Sequence, residues 1–265
     1  MISPIVAELL SPNPQTRREA AKRIIWDHVT SSMAAESEDV ERLISALTHE
    51  EYEVRKAAAL ALGDIGDARA AGPLVAALGD SDFMVQGAAN VSLARLGISA
   101  VGPLLEALND ENIDKRSFAA GLLGLPGNVR AIQPLIAALK DASHRVRREA
   151  ARSLGLIGDA EAVDAILAVL HDEHGFVREA AAEALGRIKD KRAVEPLLTM
   201  LGDLNAGNEA AWALGELGDT RAIPGLASLL WQWDFTEAAK EALERIGGQE
   251  AEQALAEYYA SLKKK

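Results

Sequence analysis

The chain has 265 residues, 49% of them hydrophobic but only 4% aromatic, so its apolar material is mostly Ala, Leu, Val and Ile, side chains that suit closely packed helices. The 40 acidic residues against 28 basic ones give a formal charge of -12, which sets the whole chain against the polyanionic backbone of a nucleic acid; the absence of cysteine excludes disulfides, thiolate metal sites and a cysteine nucleophile. No apolar run is expected to reach the roughly 18 residues of a membrane span, and the N-terminus lacks a basic stretch followed by an apolar one, so the expectation is a cytoplasmic chain with no membrane partner.

One phrase recurs along the sequence. The opening stretch is irregular, yet Arg17-Arg18-Glu19-Ala20-Ala21 resembles the start of the later copies, and an insertion around Thr30 to Asp39 separates it from them. The clearest copy runs from Val54 to Asp67 and continues into Ala71-Gly72-Pro73-Leu74. The Pro-Leu pair returns at Pro103, Pro134 and Pro196, with Ala165-Ile166 in its place once, at spacings of 30, 31, 31 and 31 residues. An Arg keeps step at Arg55, Arg116, Arg147 and Arg178, with Gln86 at the intervening position. Weaker copies follow at Asn208 to Gly215 and Glu237 to Leu243, giving about eight units of about 31 residues.

Each unit reads as two helices. Val54, Ala58, Ala61 and Ile65 stand at i, i+4, i+7 and i+11 and form one apolar stripe, and the Pro-Leu segment supplies a shorter partner whose proline sits early, where a missing N–H costs least. Gly66-Asp67, Gly158-Asp159 and Gly218-Asp219 punctuate the pairs: the glycine suits a left-handed helix end and the carboxylate can accept N–H bonds from the next helix start. Nothing alternates with a period of two, so no strand is expected. A single pair cannot bury its stripe alone, which predicts one all-α solenoid domain over 1–265: an irregular cap at 1–39, regular repeats over 40–230, and a C-terminal cap with a basic tail at 231–265.

The stretches VRREAARSLGLIGDAEAVDAIL and VRKAAALALGDIGDARAAGPLVAAL resemble HEAT repeats of the phycobilisome-lyase type. That resemblance implies an α-α superhelix with the Arg-bearing helices lining its concave side. It also admits a bilin lyase, isomerase or chaperone acting on phycobiliproteins. The lyases of that group carry paired tryptophans in an early helix, whereas this chain has Trp26 alone there and Trp212 much later.

Asp110, Asp141 and Asp172 each precede an Arg of the row by six residues, a spacing expected to let each Arg reach carboxylates of its own and the neighbouring unit. The cluster Arg145, Arg147, Arg148 and Arg152 is denser than such a ladder needs and reads either as a docking patch for a phosphate or acidic partner or as a solvated face. His171-Asp172-Glu173-His174 falls in a turn, as does His49-Glu50, and neither offers converging metal ligands; no Gly-x-Ser-x-Gly elbow or glycine-rich phosphate loop occurs. No catalytic residue, metal or cofactor is therefore assigned. The outward positions of the first helices give the candidate partner-binding residues Arg18, Lys22, Trp26, Lys56, Leu60, Val91, Arg148, Arg152, Glu183 and Trp212, a mixed face expected to bind a protein. Trp212 and Arg152 are expected to lie off the stripe that stacks the units, and Trp231, Trp233 and Phe235 to seal the C-terminal end.

Overall fold

A computed structural model describes residues 4–27 and 37–263, and the side chains of all of these except 25–27 and 37. Among the described residues every regular element is helical, as the sequence pattern requires. The helices gather into two compact units, Met1–Leu123 and Gly124–Lys265.

The first unit holds α1 (Pro4–Leu9), α2 (Pro14–Asp27), α3 (Ser37–Ala46), α4 (Tyr52–Ile65), α5 (Ala71–Ala77), α6 (Phe83–Leu96), α7 (Val101–Ala107) and α8 (Ile113–Leu122). The second holds α9 (Ile132–Ala138), α10 (His144–Ile157), α11 (Val163–Val169), α12 (Gly175–Ile188), α13 (Val194–Met200), α14 (Gly207–Leu217), α15 (Ile223–Leu229), α16 (Thr236–Ile246) and α17 (Gly248–Leu262). Long helices pack on long helices in sequence, α2 on α4 on α6 and α10 on α12 on α14 on α16, while short α5, α11, α13 and α15 lie against the long helix that follows each. This is the α-solenoid class of fold, in which each pair buries its apolar face on its neighbours.

The expected stripe is buried at Val54, Ala58 and Ala61, each 0% exposed, and widens to Ala57 and Leu62, whereas Ile65 at its end is only half-buried. Helices this close need small residues where their axes approach. A Cβ on Gly155 would stand 2.6 Å from the Ala184 Cα of α12, so α10 and α12 pack backbone to backbone there. The stretch Phe83–Ala107 is long and apolar enough by composition to cross a membrane, contrary to the expectation that no run would be. It is not one helix: Gly97, with φ of 53°, ends α6, and a short 3-10 turn leads into α7.

The punctuation is as read. Gly66, Gly158 and Gly218 have φ of 75°, 78° and 61°, and the following Asp67, Asp159 and Asp219 each accept the N–H two residues on, opening a 3-10 turn that runs into the short helix. At the fourth such corner Lys189 takes the left-handed conformation, with φ of 60°.

The Arg row forms a ladder that reaches the carboxylate of the neighbouring unit, as expected, but meets its own unit through carbonyls. Arg147 donates from Nη1 to the carbonyls of Asp141 and Ala142 in its own turn, and from Nε and Nη2 to the carboxylate of Asp172 in the next, at 2.7 and 2.8 Å. Arg55 does the same with His49, Glu50 and Asp80, and Arg178 with Asp172, Glu173 and Asp203. The nearer Asp thus contributes its carbonyl to its own Arg, while its carboxylate serves the N–H two residues on and the Arg of the preceding unit, as Asp172 does for His174 and Arg147. Burial raises the Asp172 carboxyl, but the Arg147 guanidinium and the His174 N–H outweigh it and hold the group below its ordinary value.

Candidate functional site

The solvent-facing sides of the long helices carry two cavities of opposite charge. In the first unit, Arg18 and Lys22 on α2 and Lys56 on α4 line a cavity of 290 Å³ together with Tyr52, Glu53 and Met84. The spacing Arg18 to Lys22 is one helical turn, and α4 brings Lys56 alongside; none of the three cations has a carboxylate at ion-pair distance among the described residues.

In the second unit a cavity of 460 Å³ is lined by Glu179, Glu183 and Arg187 on α12 and by Asn208, Glu209 and Trp212 on α14. The three α12 residues are spaced four apart and so share one face. Arg187 is held by Glu183, with its Nη2 at 2.8 Å from Oε1. Trp212 is half-buried because its indole lies on Gly186, where a Cβ would come within 2.6 Å of the ring. It therefore takes part in the stacking of α14 on α12, contrary to the sequence expectation, while still forming a wall of the cavity. Burial raises the Glu209 carboxyl, and the charges of Glu179 and Glu183 raise it further.

The other expected residues are less concentrated. Leu60 is half-buried on α4, Val91 is 46% exposed on α6, and the side chain of Trp26 lies outside the described residues. Arg148 and Arg152 both converge on Glu149, at 2.6 and 3.8 Å, so much of the dense arginine cluster is answered from within its own helix. Sequence reasoning missed Tyr52, Met84 and Glu209. Glu209 had a legible signal: in register it matches Ala57, Ala88 and Ala180, all buried, and like Glu19 and Glu149 it carries a carboxylate there instead.

A cavity of 490 Å³ lies over the ladder between Ile44 and Ser81, and its charged pair, Arg55 and Asp80, is already mutually satisfied. His174 stacks on His144 with ring centroids 4.2 Å apart, and Asp172 between His171 and His174 is committed to Arg147; among the described residues no three potential metal ligands converge. At the C-terminal end only Phe235 seals, being buried against Gly207. Trp231 is 61% and Trp233 87% exposed, which corrects the expectation for those two; Trp231 meets α17 through an edge contact with Tyr258.

The sequence model for HEAT repeats matches residues 2–95, 101–185, 132–208 and 165–244. The chain belongs to the HEAT-repeat family. No curated protein sequence matches it. Among solved structures it is similar to YibA of E. coli, with 24% identity over 91% of this chain and 90% of that one and a TM-score of 0.59. It is also similar to a structure of Kap95p bound to RanGDP, with 16% identity, a TM-score of 0.69, and 98% of this chain matched to 42% of the other. The CpcE–CpcF phycocyanin lyase of a Nostoc species aligns at 24% identity over 98% of this chain and 95% of the other, with a TM-score of 0.38, too loose a superposition to bear on function. These likenesses are likenesses of fold.

Proposed function

We propose that this HEAT-repeat chain is a protein-binding scaffold whose working surface is the solvent-facing side of its long helices. The observation that carries the reading is the two cavities, one in each unit, one cationic and one acidic and aromatic, on long helices whose ladder arginines are already held by carboxylates of the next repeat. Unpaired charge and a half-buried tryptophan on a rigid helical frame are the composition of an interface anchor rather than of a reaction centre. The similarity to a structure containing a Kap95p–RanGDP complex is compatible with this use of the fold. The phycobiliprotein reading rests on the repeat resemblance alone.

The test is capture from an extract of the native host by the wild-type chain and by a face variant carrying Lys22→Glu, Lys56→Glu and Glu183→Lys, with helicity and melting measured on both. A protein retained by the wild type and lost by the folded variant is the expected result, and equal retention would overturn the reading. A phycobiliprotein as the lost protein would restore the pigment-related alternative.

A further inference from the structure

Glu149 and Glu209 occupy the same register of the repeat, the one that Ala57, Ala88 and Ala180 fill elsewhere as buried residues. Glu19 at this register is exposed on α2, but Glu149 and Glu209 are half-buried, and a half-buried carboxylate is stabilised by a cation. Glu149 has two, Arg148 and Arg152. Glu209 has none among the described residues: its charged neighbours in the cavity are Glu179 and Glu183, and Arg187, the one cation there, is bound to Glu183. The α12–α14 cavity therefore holds three carboxylates against one guanidinium, a net charge of about -2, beside the Trp212 indole that packs on Gly186.

We propose that this cavity receives a lysine or arginine side chain presented by an extended basic segment of a protein partner. The assignment rests on the scaffold reading and adds the partner's chemistry. A cation entering the cavity meets the charges of Glu179 and Glu209 beside the Trp212 ring that lines it, a composition that attracts ammonium and guanidinium groups. The volume of 460 Å³ exceeds one side chain and leaves room for the backbone that carries it, for which the Asn208 carboxamide offers both a donor and an acceptor. A cation arriving beside Glu209 also offsets the repulsion from Glu179 and Glu183 that, after burial, raises its carboxyl.

The experiment is a fluorescence-anisotropy titration of the full chain with a dye-labelled, end-blocked dodecapeptide bearing four arginines spaced by Gly and Ser, at low and moderate salt. Binding is expected to weaken with salt and to fall about tenfold or more in Glu179→Gln/Glu209→Gln, which keeps shape and removes charge. It should stay unchanged in Glu195→Gln, an exposed acid on α13, and an acidic peptide of equal length should not bind. No binding of the basic peptide, or equal binding by the double variant, would overturn the assignment. So would a concentration-dependent mass increase abolished by Lys56→Glu, since the occupant would then be a second copy of the chain. If host-protein capture depends on the long-helix face while the basic peptide fails, the partner chemistry is wrong and the scaffold reading stands; if capture ignores that face, the scaffold reading falls by itself.

Discussion

Arg147 and Asp172, 25 residues apart, are joined by two parallel charge-assisted bonds of 2.7 and 2.8 Å, with side chains only 11% and 8% exposed. The same guanidinium closes its own turn through two carbonyls, so one residue fixes both the corner of its pair and the spacing to the next. Arg147→Ala should cost about 2 kcal/mol or more, because it strands the Asp172 carboxylate and frees two turn carbonyls. Arg147→Lys should recover only part of the loss, since an ammonium cannot fork to both oxygens. Chemical denaturation of the three proteins checks this. Asp172 also sets a pH direction: its folded carboxyl sits below its ordinary value of 3.8, so the stabilisation is present above that value and is lost as pH falls through the lower folded one.

Gln86 interrupts the ladder. It keeps one bond to its own turn, from Nε2 to the Asp80 carbonyl at 2.7 Å, and cannot grip the next carboxylate, so Asp110 is served by Lys115 at 3.1 Å from its own helix. Gln86→Arg should restore the missing rung and stabilise the first unit by roughly 0.5–1 kcal/mol, the gain of a part-exposed pair. A rise in the denaturation midpoint with unchanged slope is the expected readout.

Gly66 has φ of 75° and open space around it, so the obstacle to a side chain there is backbone conformation, not contact. Gly66→Val should destabilise by about 1 kcal/mol or more, because a β-branched residue resists positive φ. An unchanged melting temperature would mean that the corner had rearranged.

His144 and His174 stack in the corner between α10 and α12, faced by Arg145, Arg147 and Arg148 on one side and by Asp172 and Glu173 on the other. Burial lowers the His144 pKa from its ordinary 6.5, and His174 and the arginines lower it further. The unfolded chain therefore takes up this proton at higher pH than the folded one, and stability falls as pH drops through 6.5. Melts at about pH 7 and about pH 5 should show a smaller loss for His144→Gln than for the wild type.

The fold was legible in the sequence because the repeats restate one physical solution with few departures: apolar stripe, glycine corner, capping Asp, early proline. Even the departure at Lys189 can be read by register. The ladder's neighbouring-unit rung was legible from the spacing, but not that each Arg meets its own turn through carbonyls, since spacing does not show that the nearer Asp carboxylate is shared between its own turn and the preceding Arg. Of the candidate residues, the structure groups Arg18, Lys22 and Lys56 in one cavity and Glu183 and Trp212 in another, as a shared helix face predicts. Glu209 was overlooked because it sits one residue off the four-residue row, although its replacement of a buried Ala marked it. Trp212 was misplaced because its packing depends on Gly186 of another helix, a three-dimensional relation that hydrophobic periodicity does not encode.

The most direct test of the scaffold reading is site-specific photo-crosslinking in the native host, with a photoreactive amino acid placed singly at Lys22, at Asn208 and at Glu106, the last exposed on short helix α7. A discrete protein adduct is expected from Lys22 or Asn208, or from both, and none from Glu106. Adducts formed equally at Glu106, or at Glu106 alone, would contradict it.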